Sequence, residues 1–122
     1  MNEQKTPEID STEIKGFPVF LPKKYLEISM AKKINGLVEA CLNCGKNHIL
    51  IDFSQCPTII SPGVVGVLEL MYKVVDDYGG VLVISGLSDF HARVFTMAHI
   101  FPEARRAATL EEGIEILENP GK

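Results

Sequence analysis

His48-Ile49-Leu50-Ile51-Asp52-Phe53 is an almost continuous apolar run. A strand with one face in water alternates apolar and polar residues. An unbroken run marks a strand covered on both faces, as in the parallel sheets of α/β domains. Val81-Leu82-Val83-Ile84 repeats the pattern. Between the two runs, Ser61-Pro62 reads as an N-cap followed by proline at the first helical position, where a missing N–H costs nothing. The helix it opens is expected to run to about Tyr78 and to close at Gly79-Gly80. Two buried strands joined by a helix are expected side by side in one sheet, with the helix crossing between them.

The same logic extends outward. Upstream, residues 8–21 read as a hairpin turning at Lys15-Gly16, with Phe17, Val19 and Leu21 alternating along its second strand. Pro18 and Pro22 mark that strand as short or as a sheet edge, because proline cannot donate to a ladder. Ser29 reads as the N-cap of a first helix whose apolar face is Ile34, Leu37, Val38, Cys41 and Leu42, ended by Gly45. Downstream, Ser88 caps a third helix with Phe90, Val94 and Met97 on one face, ended by Phe101-Pro102. Residues 104–108 are read as a short last strand. Thr109-Leu110-Glu111-Glu112 is a capping box opening a helix with Leu110, Ile114 and Leu117 as its stripe. Asn119-Pro120-Gly121 stops it. The sum is one α/β domain at residues 8–118, with a four- or five-stranded sheet and about four helices. Residues 1–7 and 119–122 are read as tails.

The 122 residues suit one ordinary domain, and 46% apolar with 23% charged residues is globular composition. A net charge of −4 gives no electrostatic footprint for nucleic acid. Glu69 and Lys73 break the longest apolar stretch well short of the ~20 residues of a membrane span. The start of the chain has no hydrophobic signal region, which places the expected location in the cytoplasm. Three cysteines are an odd number and argue against a disulfide framework.

Candidate chemistry is sparse. Cys41 and Cys44 have the spacing of a metal or redox pair, which Cys56 and His48 could complete. They sit near a helix C-terminus, however, where the dipole opposes a thiolate. Cys41 falls on the apolar face, so it reads as a small hydrophobe. His48, His91 and His99 have no nucleophile and carboxylate at an interpretable spacing. Ser61-Pro62-Gly63-Val64-Val65-Gly66 lacks the lysine of a phosphate loop and the glycine pair of a dinucleotide site. Neither a metal nor a cofactor is expected, and no catalytic residue is assigned.

The helix after Ser61 says more. Glu69, Lys73, Asp76 and Asp77 fall in one arc of about 100°, and apolar residues fill the rest. That is roughly twice the width a helix needs to lie on a sheet. One reading is deep burial between two neighbouring helices. The alternative is that part of the arc, near Val67, Leu70 and Val74, meets a partner.

These residues resemble a known family. Ile49-Leu50-Ile51-Asp52-Phe53-Ser54 is similar to the V-L-D-L-S central strand of the STAS domain, found in sulfate transporters and anti-sigma factor antagonists. Eight residues after the aspartate that family carries D-S-S/T-G, where this chain has Ile60-Ser61-Pro62-Gly63. Ala98-His99-Ile100-Phe101-Pro102 resembles G-L-x-x-x-F-P, and Thr109-Leu110-Glu111-Glu112-Gly113 resembles S-L-E-E-A. Tyr25-Leu26-Glu27 resembles the G-x-L-D before the first helix.

The resemblance implies a protein-binding switch and not an enzyme. In typical members the serine of that turn is phosphorylated by a kinase of ATPase fold, and the unphosphorylated form binds the partner and frees a sigma factor. The matching phospho-acceptor is Ser61, and the implied partner surface is Thr58, Ile60, Ser61, Pro62, Gly63, Val64 and Val67. The implied partner is an anti-sigma factor or serine kinase of ATPase fold, with a homodimer as a further form. The chain departs from the pattern at Ile60, where the family has aspartate, at Pro62, and at Gly66, one place late. Those departures fit the members that are never phosphorylated and act as scaffolds or transporter-associated adaptors. A thiol-dependent enzyme is the remaining alternative.

Overall fold

The computed structural model describes residues 9–23, 27–56 and 62–121. The tail expected at 1–7, Tyr25-Leu26, and Thr58, Ile60 and Ser61 lie outside them. The described chain forms one five-stranded sheet in the order β1-β2-β3-β4-β5, with β1 antiparallel and the other pairs parallel.

β1 (Ile9–Ile14) and β2 (Phe17–Pro22) are the expected hairpin. Lys15 and Gly16 have φ of 53° and 85°, the two positive values of a type I′ turn. Contrary to expectation, Pro18 and Pro22 do not put β2 at an edge, for it lies between β1 and β3. The pair flanking such a turn exchanges hydrogen bonds and the next pair does not. Opposite Glu13 and Ile9, therefore, the hairpin asks no N–H of Pro18 or Pro22. The prolines act on the other side, where β2 meets β3 only at Val19↔Leu50 and Phe20↔Ile51.

α1 (Ile28–Asn43) starts one residue before the expected cap; Glu27 is the N-cap and makes no side-chain capping bond. Its end is as read. Gly45 has φ 82°, its N–H reaches the Leu42 carbonyl, and the Lys46 N–H reaches the Cys41 carbonyl, a Schellman motif. β3 (His48–Asp52) and β4 (Val81–Ser85) are neighbours in full register, joined by α2 (Pro62–Asp77). α2 closes with the same motif at Gly79 and Gly80. Gly80 is required there, since a Cβ would stand 2.1 Å from the Asn47 carbonyl oxygen.

α3 (Asp89–Met97) is followed by a short 3-10 turn, then β5 (Arg106–Ala107) and α4 (Leu110–Glu118). α3 stops short of Phe101-Pro102. His99 and Phe101 take positive φ, and the bend returns Ile100 and Phe101 to the core. Its expected apolar face is reversed. His91 and Phe95 are buried, while Phe90 and Met97 are exposed.

Strand alternation sorts the helices into layers. Phe20, Ile49, Ile51, Leu82 and Ile84 face one way and pack with α1, α2 and Phe95 of α3. Val19, Leu50, Val81 and Val83 face the other way and pack with Ile114 and Leu117 of α4. β3 and β4 are thus covered on both faces, as their sequences require.

Candidate functional site

The carboxyl ends of β3 and β4 carry a buried polar knot. Asp52 and Ser85 are opposite each other in the register, and both are buried. The Ser85 hydroxyl donates to Asp52 Oδ2 at 2.7 Å. The Ser54 N–H donates to Oδ1 at 2.9 Å, and the Ser54 hydroxyl donates to the same oxygen. A carboxylate taken from water needs such donors, and here they come from both strand ends. The knot fixes the first residues of the connection that leads to α2. Gly86 presses against it, with φ 77° and room for no Cβ, which would lie 2.6 Å from the Ser54 nitrogen. The sequence singled out Asp52 and Ser54 as motif positions but not Ser85. Only the strand register reveals Ser85 as its partner.

α2 leads away from this corner. Pro62 is its first residue, as expected. Val64, Leu68, Met71 and Val75 are buried, and Val65, Val67, Tyr72 and Val74 pack partly against that core. Burial therefore takes most of the broad apolar arc. One stripe is left over: Gly63 is exposed, Val67 and Val74 are half-buried, and Leu70 is 60% exposed. These positions are four, three and four residues apart, one helix face. Val64, named with Gly63 and Val67 from the sequence, is instead a core residue with no surface to offer.

The other candidates are dispersed. Cys41 is half-buried and Cys44 exposed, and neither is in a disulfide. Burial pushes the Cys41 thiol above its ordinary pKa, with Lys46 pulling the other way. His48 sits beside Asn47, its Nδ1 2.8 Å from the amide oxygen. His91 Nδ1 lies 2.8 Å from the Ser88 hydroxyl, which also accepts the His91 N–H, and burial lowers the His91 pKa. Among the described residues no cluster of three His, Cys, Asp or Glu is placed to hold a metal ion. No helix among them is long and apolar enough to cross a membrane.

A mixed sheet with three helices on one face, a single helix on the other and a helix N-terminus beside the central strand ends defines a small α/β domain of a particular kind. The STAS domain model matches residues 8–113, and the chain belongs to the STAS domain family. A search of curated protein sequences returns no match. Among solved structures, the chain is similar to the Thermotoga maritima protein TM1081, an anti-sigma factor antagonist by assignment. The TM-score is 0.79 at 20% identity, over 91% of this chain and 95% of that one. A serine-to-glutamate variant of RsbS from Moorella thermoacetica gives 0.76 at 16%, over 93% and 97%. The anti-sigma factor antagonist SpoIIAA in its unphosphorylated form gives 0.70 at 16%, over 91% and 98%. At these identities the likeness is one of fold.

Proposed function

We propose that this protein is a cytoplasmic regulatory module, not an enzyme. It docks a kinase-type anti-sigma partner of ATPase fold through the start and outer stripe of α2, and Ser61 is the phospho-acceptor that switches the docking. The observation that carries this reading is the stripe Gly63, Val67, Leu70 and Val74, left partly open on an otherwise well-packed helix and beginning two residues after Ser61. The relatives supply the precedent. SpoIIAA has been solved in phosphorylated and unphosphorylated forms, and the RsbS relative carries glutamate in place of a serine.

The physics of the switch follows from position. A phosphate adds about −1.5 to −2 charges. Immediately before a helix, that charge faces the positive end of the dipole, so the fold tolerates it. A partner seated on the same corner would have to desolvate it, at a cost of several kcal/mol when no cation answers it. Phosphorylation here would control association and leave folding alone.

The test is a thermal melt alongside a binding titration for wild type, Ser61→Ala and Ser61→Glu, with the partner taken from the native cytoplasm and its phosphorylation of the chain mapped by mass spectrometry. Ser61→Glu should change stability by about 1 kcal/mol or less, mostly through the cap, and weaken binding far more. Unfolding of Ser61→Glu would make Ser61 a structural cap. Equal binding by all three would favour a second reading, a STAS scaffold or transporter-associated adaptor that is never phosphorylated. Ile60 and Pro62 around the serine, in place of the family's aspartate and second hydroxyl, are the observation behind that alternative.

A further inference from the structure

The docking stripe makes no use of the two cysteines at the end of α1, and the structure gives them a setting that their sequence position did not suggest. Cys41 is not sealed in the core. It lines an open groove of about 490 Å³ between α1 and the hairpin, together with Cys44, Leu37, Ala40, Pro18 and Phe20. Lys46, ion-paired with Glu13 of β1, stands at the same groove. Cys44 is the C-cap, with φ −95° and ψ 6°, and is exposed. The two thiols are thus about one turn apart on the same side of the helix, Cys44 exposed and Cys41 half-buried.

We propose that Cys41 and Cys44 form a dithiol modification site that exchanges with a small-molecule disulfide of the glutathione type and closes to an intramolecular disulfide. Cys44, the exposed thiol, gives its proton to solvent, and its sulfur attacks one sulfur of the small disulfide. The S–S bond breaks, one small thiolate leaves and takes a proton, and a mixed disulfide remains on Cys44. Cys41 then loses its proton and attacks Cys44 Sγ, and the second small thiol leaves. The protein pair loses two electrons and the small disulfide gains them.

Geometry favours this order. Residues three apart on a helix have Cβ atoms ~5–6 Å apart, against ~3.8 Å in a disulfide, so closure asks for a shift of about 2 Å. Cys44 already lies outside the regular helix and can supply that shift at a helix end. The carbonyl end of a helix opposes a thiolate, so the exchange is expected to be slow, on the order of minutes to hours. Cys41 is the slower partner. Burial holds its thiol protonated, Cys44 and Glu13 act in the same direction, and the Lys46 ammonium opposes them.

The experiment uses the reduced full chain, glutathione disulfide as the probe, and intact mass with peptide mapping at timed intervals. Wild type is expected to pass through a single glutathione adduct and end two hydrogens lighter, with the new bond between Cys41 and Cys44. Raising the pH should shorten the life of the adduct, because Cys41 must ionise to expel it. Cys41→Ser should stop at the adduct on Cys44. Cys44→Ser should react at least about tenfold more slowly, and Cys56→Ser like wild type. A persistent wild-type adduct that never closes, a disulfide involving Cys56, or equal reactivity of Cys44→Ser would each overturn the proposal. Far-ultraviolet circular dichroism of every variant, before oxidation, must match wild type; if Cys41→Ser is unfolded, Cys41→Ala serves in its place.

Discussion

α3 and α4 are both nine residues long, and each is capped by a hydroxyl that accepts the N–H three residues on: Ser88 from His91, Thr109 from Glu112. They use the same local chemistry to opposite ends. α4 lays Ile114 and Leu117 on the sheet and brings its backbone so close that a Cβ on Gly113 would lie 2.2 Å from Leu50 Cδ1. α3 buries only His91 and Phe95 and turns Phe90 and Met97 outward, the latter 77% exposed. Capping decides where a helix starts. Which face it buries is decided by its neighbours, and for α3 the neighbour is Phe101, which also meets Tyr72 of α2.

The largest expected effect is at the single large apolar side chain that α3 buries. Phe95→Ala removes a ring held against Phe101 in the main core. A loss of about 3–5 kcal/mol is expected by urea denaturation. A loss below 1 kcal/mol would mean that α3 is attached by something other than Phe95.

Next comes the close approach of α4. Gly113→Ala should destabilise by about 1–3 kcal/mol, because Leu50 is fully buried and has nowhere to move. Gly66→Ala is the control. It lies inside α2 with nothing within 4 Å of the added methyl, so it should stabilise by about 0.4–1 kcal/mol. Substitutions of equal effect would show that α4 does not press on β3 as closely as described.

A third difference is titratable. On α3, burial lowers the His91 pKa. The unfolded chain then takes up a proton that the folded chain resists, so stability falls as pH drops through about 6.5 toward the lower folded value. The ring is held beside the cap, its Nδ1 2.8 Å from the Ser88 hydroxyl that accepts the His91 N–H. Melts between pH 7.5 and 5 should show a decline that His91→Gln lessens. An identical decline in the variant would assign it to other groups.

These helices also show what a single sequence can disclose. The buried runs of β3 and β4, the Lys15-Gly16 turn, the caps at Ser88 and Thr109 and the glycine stops at 45 and 79 all act within a few residues, and each is visible in the text. Of the two readings offered for β2, edge or short, the edge fails, because a ladder only two pairs long accommodates proline inside the sheet. The α3 face was misread because Phe90, Val94 and Met97 make a better stripe by hydropathy than His91 and Phe95. At the candidate site, Asp52 and the start of α2 were legible from motif and spacing. Ser85 is thirty-three residues from Asp52, and only the pairing of β3 with β4 joins them.

The smallest effect sharpens the comparison most. If hydropathy alone decided the buried face, Met97 would be an anchor and its loss would cost as much as that of a core residue. The structure leaves it three-quarters in solvent on the last turn of α3. Met97→Ser therefore removes apolar surface that folding never takes from water. The expected change is within about 0.5 kcal/mol, the range of surface substitutions away from caps and cores. Leu117→Ala, at the corresponding last turn of α4, buries its side chain almost fully and should cost about 2–5 kcal/mol. The two variants are compared by urea denaturation at one pH. A loss above 1 kcal/mol for Met97→Ser would mean that this face of α3 is covered in solution, either by the chain itself or by a second copy. Sedimentation of the same samples separates those cases, since only a second copy makes the loss depend on protein concentration.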